Sequence, residues 1–321
     1  MFHLASRRRL WFLISLAVMV PGLVSLVFFG LRLGIDFTGG TLWEVRFEGP
    51  ATVAQVDEVL TANGHENAVV QPTGPTAEHA FLIRSQEIRE GSPEKDAIEG
   101  GFAEAIGPFE EREFSTVGGA VSTQIRNRAI LAVAVASLGI LAYIAYAFRN
   151  TQNPLLYGAC ALVAMLHDVL IVLGVFSILG AVANVEIDAL FVTALLTVIG
   201  FSVHDTIVVF DRIRENLARQ SDPTFEGVVN YSLSQTLVRS LNTSLTVIFT
   251  LLALYLFGGT TTRTFVLALL IGVVSGTYSS IFNASQLLVA WDNGEIQRFF
   301  GRFRGGGRGT GRAGAEPVPA P

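Results

Sequence analysis

The chain has little charge, a single cysteine and a single lysine. Only 15% of its 321 residues are charged and half are hydrophobic, whereas about 25% of residues are charged in a typical soluble domain. The apolar residues form long runs, and most charges are collected into one block and a few short segments. This composition excludes an intrinsically disordered chain and indicates a membrane protein with one water-exposed part.

The scarcity of cysteine and the absence of several motifs exclude other classes of protein. Cys160 lies inside an apolar run, so it forms no intramolecular disulfide, and we interpret it as a small core residue. The net charge of −5 gives no reason to expect a nucleic-acid partner. No nucleotide-binding loop, H-E-x-x-H or G-x-S-x-G motif occurs. We therefore expect no enzymatic activity, no metal and no cofactor.

Six apolar runs are long enough to cross a membrane, which takes about 20 residues in a helix. The first run follows Arg7 to Arg9. It is too long for the apolar region of a signal peptide, and it lacks a small-residue cleavage site, so we interpret it as a retained membrane anchor. The other five predicted spans are residues 129–148, 155–182, 189–210, 241–257 and 265–290. We divide the chain into an N-terminus (1–9), a first helix (10–30), an external domain (31–128), helices two to six (129–290) and a basic, Gly/Pro-rich disordered tail (291–321).

The arginines predict the orientation, because short cytoplasmic loops carry an excess of basic residues. If the N-terminus is cytoplasmic, that side holds nearly all arginines of the short loops, and only Arg263 falls in a short outer loop. Residues 31–128 then lie outside, with 8 basic and 16 acidic residues. We expect both termini to be cytoplasmic.

The external block has the pattern of a small βαββαβ domain of ferredoxin-like type. Alternating residues after Gly40 predict the first strand, and Ser92-Pro93 predicts the start of the second helix. Gly39-Gly40 is interpreted as a tight turn from the membrane into the sheet. His65 and His79 lack metal-ligand spacing, so we expect them at the surface.

Several polar residues lie inside the predicted spans, where an ionisable group costs about 2.5–3.5 kcal/mol. Each therefore needs a structural or functional reason. The helical rise of 1.5 Å per residue places Asp205 about 9 Å inside the cytoplasmic end, at a depth comparable with Arg239. The residues concerned are His167 and Asp168 in span three, His204 and Asp205 in span four, Arg239, Asn242, Thr243 and Thr246 at span five, and Ser275, Ser279, Asn283 and Gln286 in span six.

Two interpretations of Asp205 and Arg239 remain open from the residues alone. In the first, they form a neutralising pair that sets the register of two helices. In the second, Asp205 binds and releases a proton while Arg239 changes partner, because poor hydration favours a protonated carboxyl and a nearby arginine favours the ionised form. His204 points about 100° away from Asp205, and it either extends a proton relay or is an ordinary interior histidine.

The motifs resemble those of the SecD/SecF family of the bacterial Sec translocase, on its SecF side, over residues 10–290. The motif that leaves span four is the most specific of them. The carrying sequences are Gly34-Ile-Asp-Phe-Thr-Gly-Gly-Thr41, Leu166-His-Asp-Val169, Ser202-Val-His-Asp-Thr-Ile-Val-Val-Phe-Asp-Arg-Ile-Arg-Glu-Asn216, Arg239-Ser-Leu-Asn-Thr-Ser-Leu-Thr246 and Tyr255-Leu-Phe-Gly-Gly259.

The resemblance implies a fold and a function. The fold would be half of an exporter of the resistance-nodulation-division superfamily, in the bacterial inner (plasma) membrane. A SecD half would supply the rest, and the pair would use the proton-motive force, with protons as the coupling ion, in late export of unfolded preproteins. The implied partners are SecD, the SecYEG channel and YajC, with SecA acting indirectly.

The resemblance also assigns roles to residues. Asp205 and Arg239 match the family positions for proton transport. Asp36 belongs to the motif that includes Gly39 and Gly40, which we expect to connect the external domain to the bundle. His167, Asp168, His204, Asn242, Thr246, Asn283 and Gln286 are candidate proton-path or supporting residues.

Three alternatives stay open. A proton-coupled small-molecule exporter of the same superfamily would usually carry twelve spans and two large external loops. A passive scaffold for the translocon would not need a titrating Asp205. An intramembrane hydrolase would need a nucleophile or metal motif, and none is present.

Overall fold

The computed structural model describes residues 4–73, 78–149, 151, 153–259 and 262–298. The first half contains a membrane helix, a short helix and the external domain: α1 (Arg8–Phe28), α2 (Ile35–Thr38), β1 (Gly40–Phe47), α3 (Val53–Ala62), β2 (Val69–Thr73), β3 (Ala80–Ser85), α4 (Pro93–Ala105) and β4 (Phe109–Val117). The second half is helical: α5 (Gly119–Ala147), α6 (Pro154–Ala183), α7 (Ala189–Ala218), α8 (Phe225–Phe257), α9 (Arg263–Ser279), a π-helical turn (Ser280–Ala284, the π-turn) and α10 (Ser285–Asp292).

Six helices of the described chain are long and apolar enough to cross a membrane, as predicted. The last of them runs from α9 through the π-turn into α10. Residues 295–298 add a further helical turn. Most of the predicted tail, residues 299–321, lies outside the described residues.

Two helices begin well before the apolar runs that predicted them. Helix α5 starts at Gly119, ten residues before the predicted span, and α8 starts at Phe225 rather than at residue 241. The Thr224 hydroxyl accepts a hydrogen bond from the Gly227 amide (3.1 Å) and caps the start of α8. Hydropathy detects only the strongly apolar part of a helix, and both helices begin with a more polar extension.

The external domain has the predicted βαββαβ order. Its sheet is antiparallel with strand order β2-β3-β1-β4. Alternate residues of a strand point to one face, so Trp43, Val45 and Phe47 of β1 all enter the core. The capping box formed by Thr52 and Gln55 starts α3.

The expectation that His65 lies at the surface was wrong, since its side chain is 5% exposed. The His65 amide donates to the Leu60 carbonyl (2.9 Å) where α3 ends, which turns the chain back toward the domain. The ring then lies beside Glu94, with 3.2 Å between Nε2 and Oε1. His79 is half-buried.

Small residues bring the membrane helices close together. A Cβ atom added to Gly174 of α6 would lie 2.7 Å from the Gly22 Cα of α1, and one added to Gly272 of α9 would lie 2.1 Å from a Val198 methyl of α7. Since real Cβ contacts are never this short, these crossings require glycine. Cys160 is buried in the bundle core, as predicted.

The external domain is attached to the bundle at the loop between α6 and α7. The Gly34 amide donates to the Ile187 carbonyl and the Ile187 amide donates to the Arg32 carbonyl, both at 2.9 Å. The Glu186 carboxylate lies between two guanidinium groups, Arg32 (Nε to Oε1, 3.2 Å) and Arg84 of β3. One loop therefore contacts both the end of α1 and the sheet.

Candidate functional site

Asp168 is the centre of a buried polar cluster, which we call the Asp168 cluster (His167, Asp168, Ser202, Ser275 and Ser279). Asp168 is 1% exposed. Its Oδ1 accepts from Ser275 Oγ (2.7 Å), and its Oδ2 accepts from Ser202 Oγ and Ser279 Oγ (both 2.6 Å). Ser275 and Ser279 are four residues apart and share a helix face. The carboxyl thus joins α6, α7 and α9.

His167 completes the cluster from the neighbouring position of α6. Its Nδ1 lies 3.0 Å from Asp168 Oδ1, while its Nε2 is buried and has no hydrogen-bond partner among the described residues. The residue borders two apolar cavities of about 400 and 280 Å³, which share Ser15 of α1. His167 therefore lies at the boundary between the polar cluster and the apolar part of the bundle.

Asp205 has a much poorer set of partners. It lies on the inward face of α7 and is 8% exposed. Its Oδ1 accepts from Ser240 Oγ of α8 (2.7 Å), and its Oδ2 has no hydrogen-bond partner among the described residues. One oxygen of a buried carboxyl is thus left without a hydrogen bond.

The structure does not pair Asp205 with Arg239. Among the ion pairs of the described residues, none joins the two, and Arg239 is exposed. Consecutive helical residues point about 100° apart, so α8 directs Ser240 at Asp205 and turns Arg239 outward. Arg239 borders a cavity of about 370 Å³ together with Arg212 and Glu215 of α7.

The other predicted residues of α8 share the outward face of Arg239. Asn242, Thr243 and Thr246 are all exposed. The Thr243 hydroxyl donates to the Arg239 carbonyl (3.0 Å) and the Thr246 hydroxyl donates to the Thr243 carbonyl (2.7 Å). The predicted polar stripe therefore exists, but it faces away from Asp205.

His204 is also exposed, as its position next to an inward-facing Asp205 predicts. No hydrogen bond places it in a chain of donors and acceptors within the described residues. Its role in a proton relay stays a prediction.

Asn283 and Gln286 are buried but turn to other neighbours. Asn283 Oδ1, in the π-turn, accepts from Ser15 Oγ of α1 (2.9 Å). Gln286 Nε2 donates to Ser285 Oγ (3.3 Å), and its Oε1 has no hydrogen-bond partner among the described residues. The sixth membrane helix thus contacts Asp168 and Ser15 from different positions of one stripe.

The glycine motif has a clear structural role. Asp36 Oδ2 accepts from the Ala189 amide at the start of α7 (2.7 Å). Gly39 and Gly40 have φ of 76° and 111°, which side chains disfavour, and a Cβ on Gly40 would lie 2.5 Å from the Ser85 carbonyl oxygen. The motif turns the chain into β1 and caps a membrane helix.

Sequence reasoning missed Ser202 and Ser240, two of the serines that donate to the buried carboxyls. Ser202 and Ser240 give no signal of their own, because a serine in a membrane helix commonly bonds only to the backbone. Only Ser275 and Ser279 could be recognised from the sequence, because their four-residue spacing places them on one helix face. Glu186 was missed because it lies in a loop that is distant in sequence from both arginines.

Six membrane helices, buried carboxyls and one ferredoxin-like domain after the first helix define a polytopic membrane protein with a single external domain. The model of the protein export membrane protein SecD/SecF, C-terminal region, matches residues 99–294, and that of the SecD/SecF GG motif matches residues 24–51. The chain belongs to the SecD/SecF family.

Relatives of the same family are similar to this chain over nearly its whole length. Protein translocase subunit SecF of Thermobaculum terrenum is 57% identical, covering 94% of this chain and 98% of the relative. The same subunit of Anaerolinea thermophila is 44% identical, with the same coverage.

A solved structure shows the same fold. The crystal structure of SecDF, a translocon-associated membrane protein from Thermus thermophilus, has a TM-score of 0.76 and 33% identity, covering 91% of this chain and 39% of that one. The chain therefore spans about two fifths of the fused protein.

Proposed function

We propose that the chain is the SecF-type subunit of a protein translocase and uses the proton-motive force, with a SecD-type half, to promote late steps of preprotein export. Membership of the SecD/SecF family supports the translocase role. The buried Asp205, with one oxygen free of hydrogen bonds, is the observation that carries the proton-coupled part.

The geometry at Asp205 suits a proton carrier. A proton on the free Oδ2 breaks no existing hydrogen bond, and the bond from Ser240 to Oδ1 can stay in place. A charge that crosses the membrane yields about 2.3 kcal/mol per 100 mV. A few protons per cycle therefore supply enough free energy to shift a conformational equilibrium.

The outward face of α8 supports a second half as partner. Arg239, Asn242 and Thr246 are exposed on a membrane helix, where lipid offers no hydrogen-bond partners. In the proposal, a SecD-type half covers this face, and Arg239 moves between that half and Asp205. The fused SecDF proteins of Bacillus subtilis and Thermus thermophilus favour such a pairing.

The external domain is proposed to receive the movement through its glycine connections. A Cβ on Gly39 would lie 3.4 Å from the Gly119 Cα, so the two chain segments that join the domain to the bundle lie side by side. Movement of α5 at Gly119 is thereby passed directly to the start of β1.

Contacts among the helix ends support the proposed orientation, with both termini cytoplasmic in a bacterial plasma membrane. Arg8 pairs with Glu226 (3.1 Å) and also with Glu295. The start of α1, the start of α8 and the segment after α10 are therefore at the same end of the bundle, and in the proposal the excess of arginines in the short loops assigns that end to the cytoplasm.

The test is export into membrane vesicles that contain the full-length chain and its SecD partner. We expect Asp205→Asn to reduce export to the level seen without a proton gradient, while membrane insertion stays normal. Asp292→Asn, which changes an exposed carboxyl near the end of α10, is the matched control and should export normally. Gradient-dependent export that survives Asp205→Asn would refute the proposed role.

A further inference from the structure

The two buried aspartates have opposite environments. Asp168 has polar partners on both oxygens, with three serine hydroxyls donating to it and His167 Nδ1 alongside. Asp205 accepts a hydrogen bond on one oxygen only. Hydroxyl donors on both oxygens stabilise a carboxylate. When two carboxyls sit in such different environments, they take different roles.

The sixth membrane helix passes close to both aspartates. Ser279 donates to Asp168 Oδ2 (2.6 Å), and the next residue, Ser280, begins the π-turn, which packs against α7, the helix that carries Asp205. The junction of α9 and the π-turn lies between these two serines. Single π-helical turns within α-helices are rare and are often found at functional sites.

Close packing leaves the junction little room to move independently. A Cβ on Gly276 would lie 3.1 Å from the Ser202 Cβ and 3.7 Å from Asp168 Oδ2. Ser280 also donates to the Gly276 carbonyl. The last turn of α9 is therefore held against α6 and α7 through the Asp168 cluster.

We propose that Asp168 is a positioning residue: it anchors the end of α9 through Ser279, so that proton uptake at Asp205 moves the π-turn. The proton carrier and the anchoring carboxyl are then separate residues on neighbouring helices. This assignment rests on the proposed function and deepens it. Among the described residues, the titratable groups beside Asp168 are His167 on the same helix and Tyr278 of α9, and the rings of these two residues are 6.4 Å apart.

Infrared difference spectroscopy tests which aspartate binds the proton. The full-length chain in lipid vesicles is compared at high and low pH, and the carbonyl stretch of a protonated buried carboxyl is followed. We expect the band in the parent protein and in Asp168→Asn, and its loss in Asp205→Asn. A band that disappears in Asp168→Asn and survives in Asp205→Asn would overturn the assignment.

A milder substitution keeps the test informative if the Asp168→Asn protein does not fold. Ser279→Ala removes one donor to the carboxylate, and Thr277→Val on the same helix, whose hydroxyl donates to Ser244 (2.6 Å), is the matched control. Because Ser279→Ala removes one of the two hydroxyl donors to Asp168 Oδ2, we expect it to lower gradient-dependent export about tenfold, the effect of one lost hydrogen bond. Export driven by ATP alone should be unchanged in Ser279→Ala. Gradient-dependent export by Thr277→Val should stay within about twofold of that of the parent protein.

A double-mutant cycle separates coupling from a general loss of packing. If Ser279 acts through Asp168, adding Ser279→Ala to Asp168→Asn causes little further loss of export. Fully additive losses, or an equal loss in Thr277→Val, would contradict the proposal. Should Asp205→Asn leave export unchanged, the proposed function fails, while the infrared assignment still decides the roles of the two aspartates.

Discussion

Lys95 shows how a single buried charge is accommodated in the external domain. It is the chain's only lysine and is 4% exposed. Its ammonium group lies 2.7 Å from Glu90 and 2.8 Å from Glu111, and 4.0 Å from the centre of the Phe114 ring. Burial alone disfavours the charged form, but the hydrogen bonds to Glu111 and Glu90 outweigh it and raise the pKa of Lys95 above its ordinary value.

This pKa predicts a loss of stability at alkaline pH. The pKa of Lys95 is higher in the folded protein than in the unfolded chain. The charged side chain therefore stabilises the fold fully below about pH 10.5, and this stabilisation is lost as the pH rises through the pKa of the folded protein. We expect the melting temperature of the external domain to fall by about 5 °C in this range, as ~1 kcal/mol does for a domain of this size. Fluorescence of Trp43 measures it, with Trp11 and Trp291 replaced by Phe.

Lys95→Met is the control for that measurement. It has no ammonium group to deprotonate, so its melting temperature should depend less on pH in the same range. If the melting temperature of Lys95→Met falls as much at alkaline pH as that of the parent protein, another group is responsible for the loss of stability.

At the residue scale, sequence identified the acids but not their partners. Asp205 and Asp168 stand out because a carboxyl in an apolar run is costly. Nothing local predicts that Ser240, rather than Arg239, contacts Asp205. That choice depends on the rotation of α8 about its axis, which is set by packing along its whole length.

At the scale of elements, helix crossings depend on glycines at particular places. Gly22 and Gly174 lie at the crossing of α1 and α6, where the backbones touch. Gly200 of α7 is different, since a Cβ there would meet nothing within 4 Å. Gly272 and Gly276 have a four-residue spacing that is visible in the sequence, but Gly22 and Gly174 are isolated and form a pair only in three dimensions.

These environments predict opposite effects of adding one methyl group. Gly174→Ala should lower the free energy of unfolding by about 1–3 kcal/mol, because the helices must separate. Gly200→Ala should be neutral or stabilise by up to about 1 kcal/mol, through higher helix propensity. Thermal denaturation in detergent, followed by circular dichroism, compares the two. Equal stability of the two variants would mean that the α1–α6 crossing is looser than the structure shows.

At the scale of the whole molecule, Glu186 joins the external domain to the bundle. Its carboxylate lies between Arg32, at the end of α1, and Arg84 of β3. Without that carboxylate, two guanidinium groups would face each other with no anion between them, and like charges repel. The loop from α6 to α7 therefore keeps the domain in its observed orientation.

We expect Glu186→Gln to loosen this junction without unfolding either part. Amide hydrogen exchange in residues 32–39 and 184–189 should become about tenfold faster, the change that a loss of ~1.4 kcal/mol of local stability produces. Arg89→Gln, which breaks an exposed pair with Glu87, should leave exchange in both segments unchanged. Unaltered exchange in Glu186→Gln would show that the backbone bonds between Gly34 and Ile187 hold the junction by themselves.

The sequence alone determined the number of membrane helices, the βαββαβ order of the external domain and the costly polar residues, because apolar length, turn residues and buried charge are local properties. It did not determine helix starts such as Phe225, which depend on caps outside the hydrocarbon. Only the tertiary structure decided which side chains meet: Asp168 with serines from two other helices, Asp205 with Ser240, and Glu186 with two distant arginines. These contacts depend on the rotation and close approach of whole helices, which arise from packing across the molecule and leave no local mark in the chain.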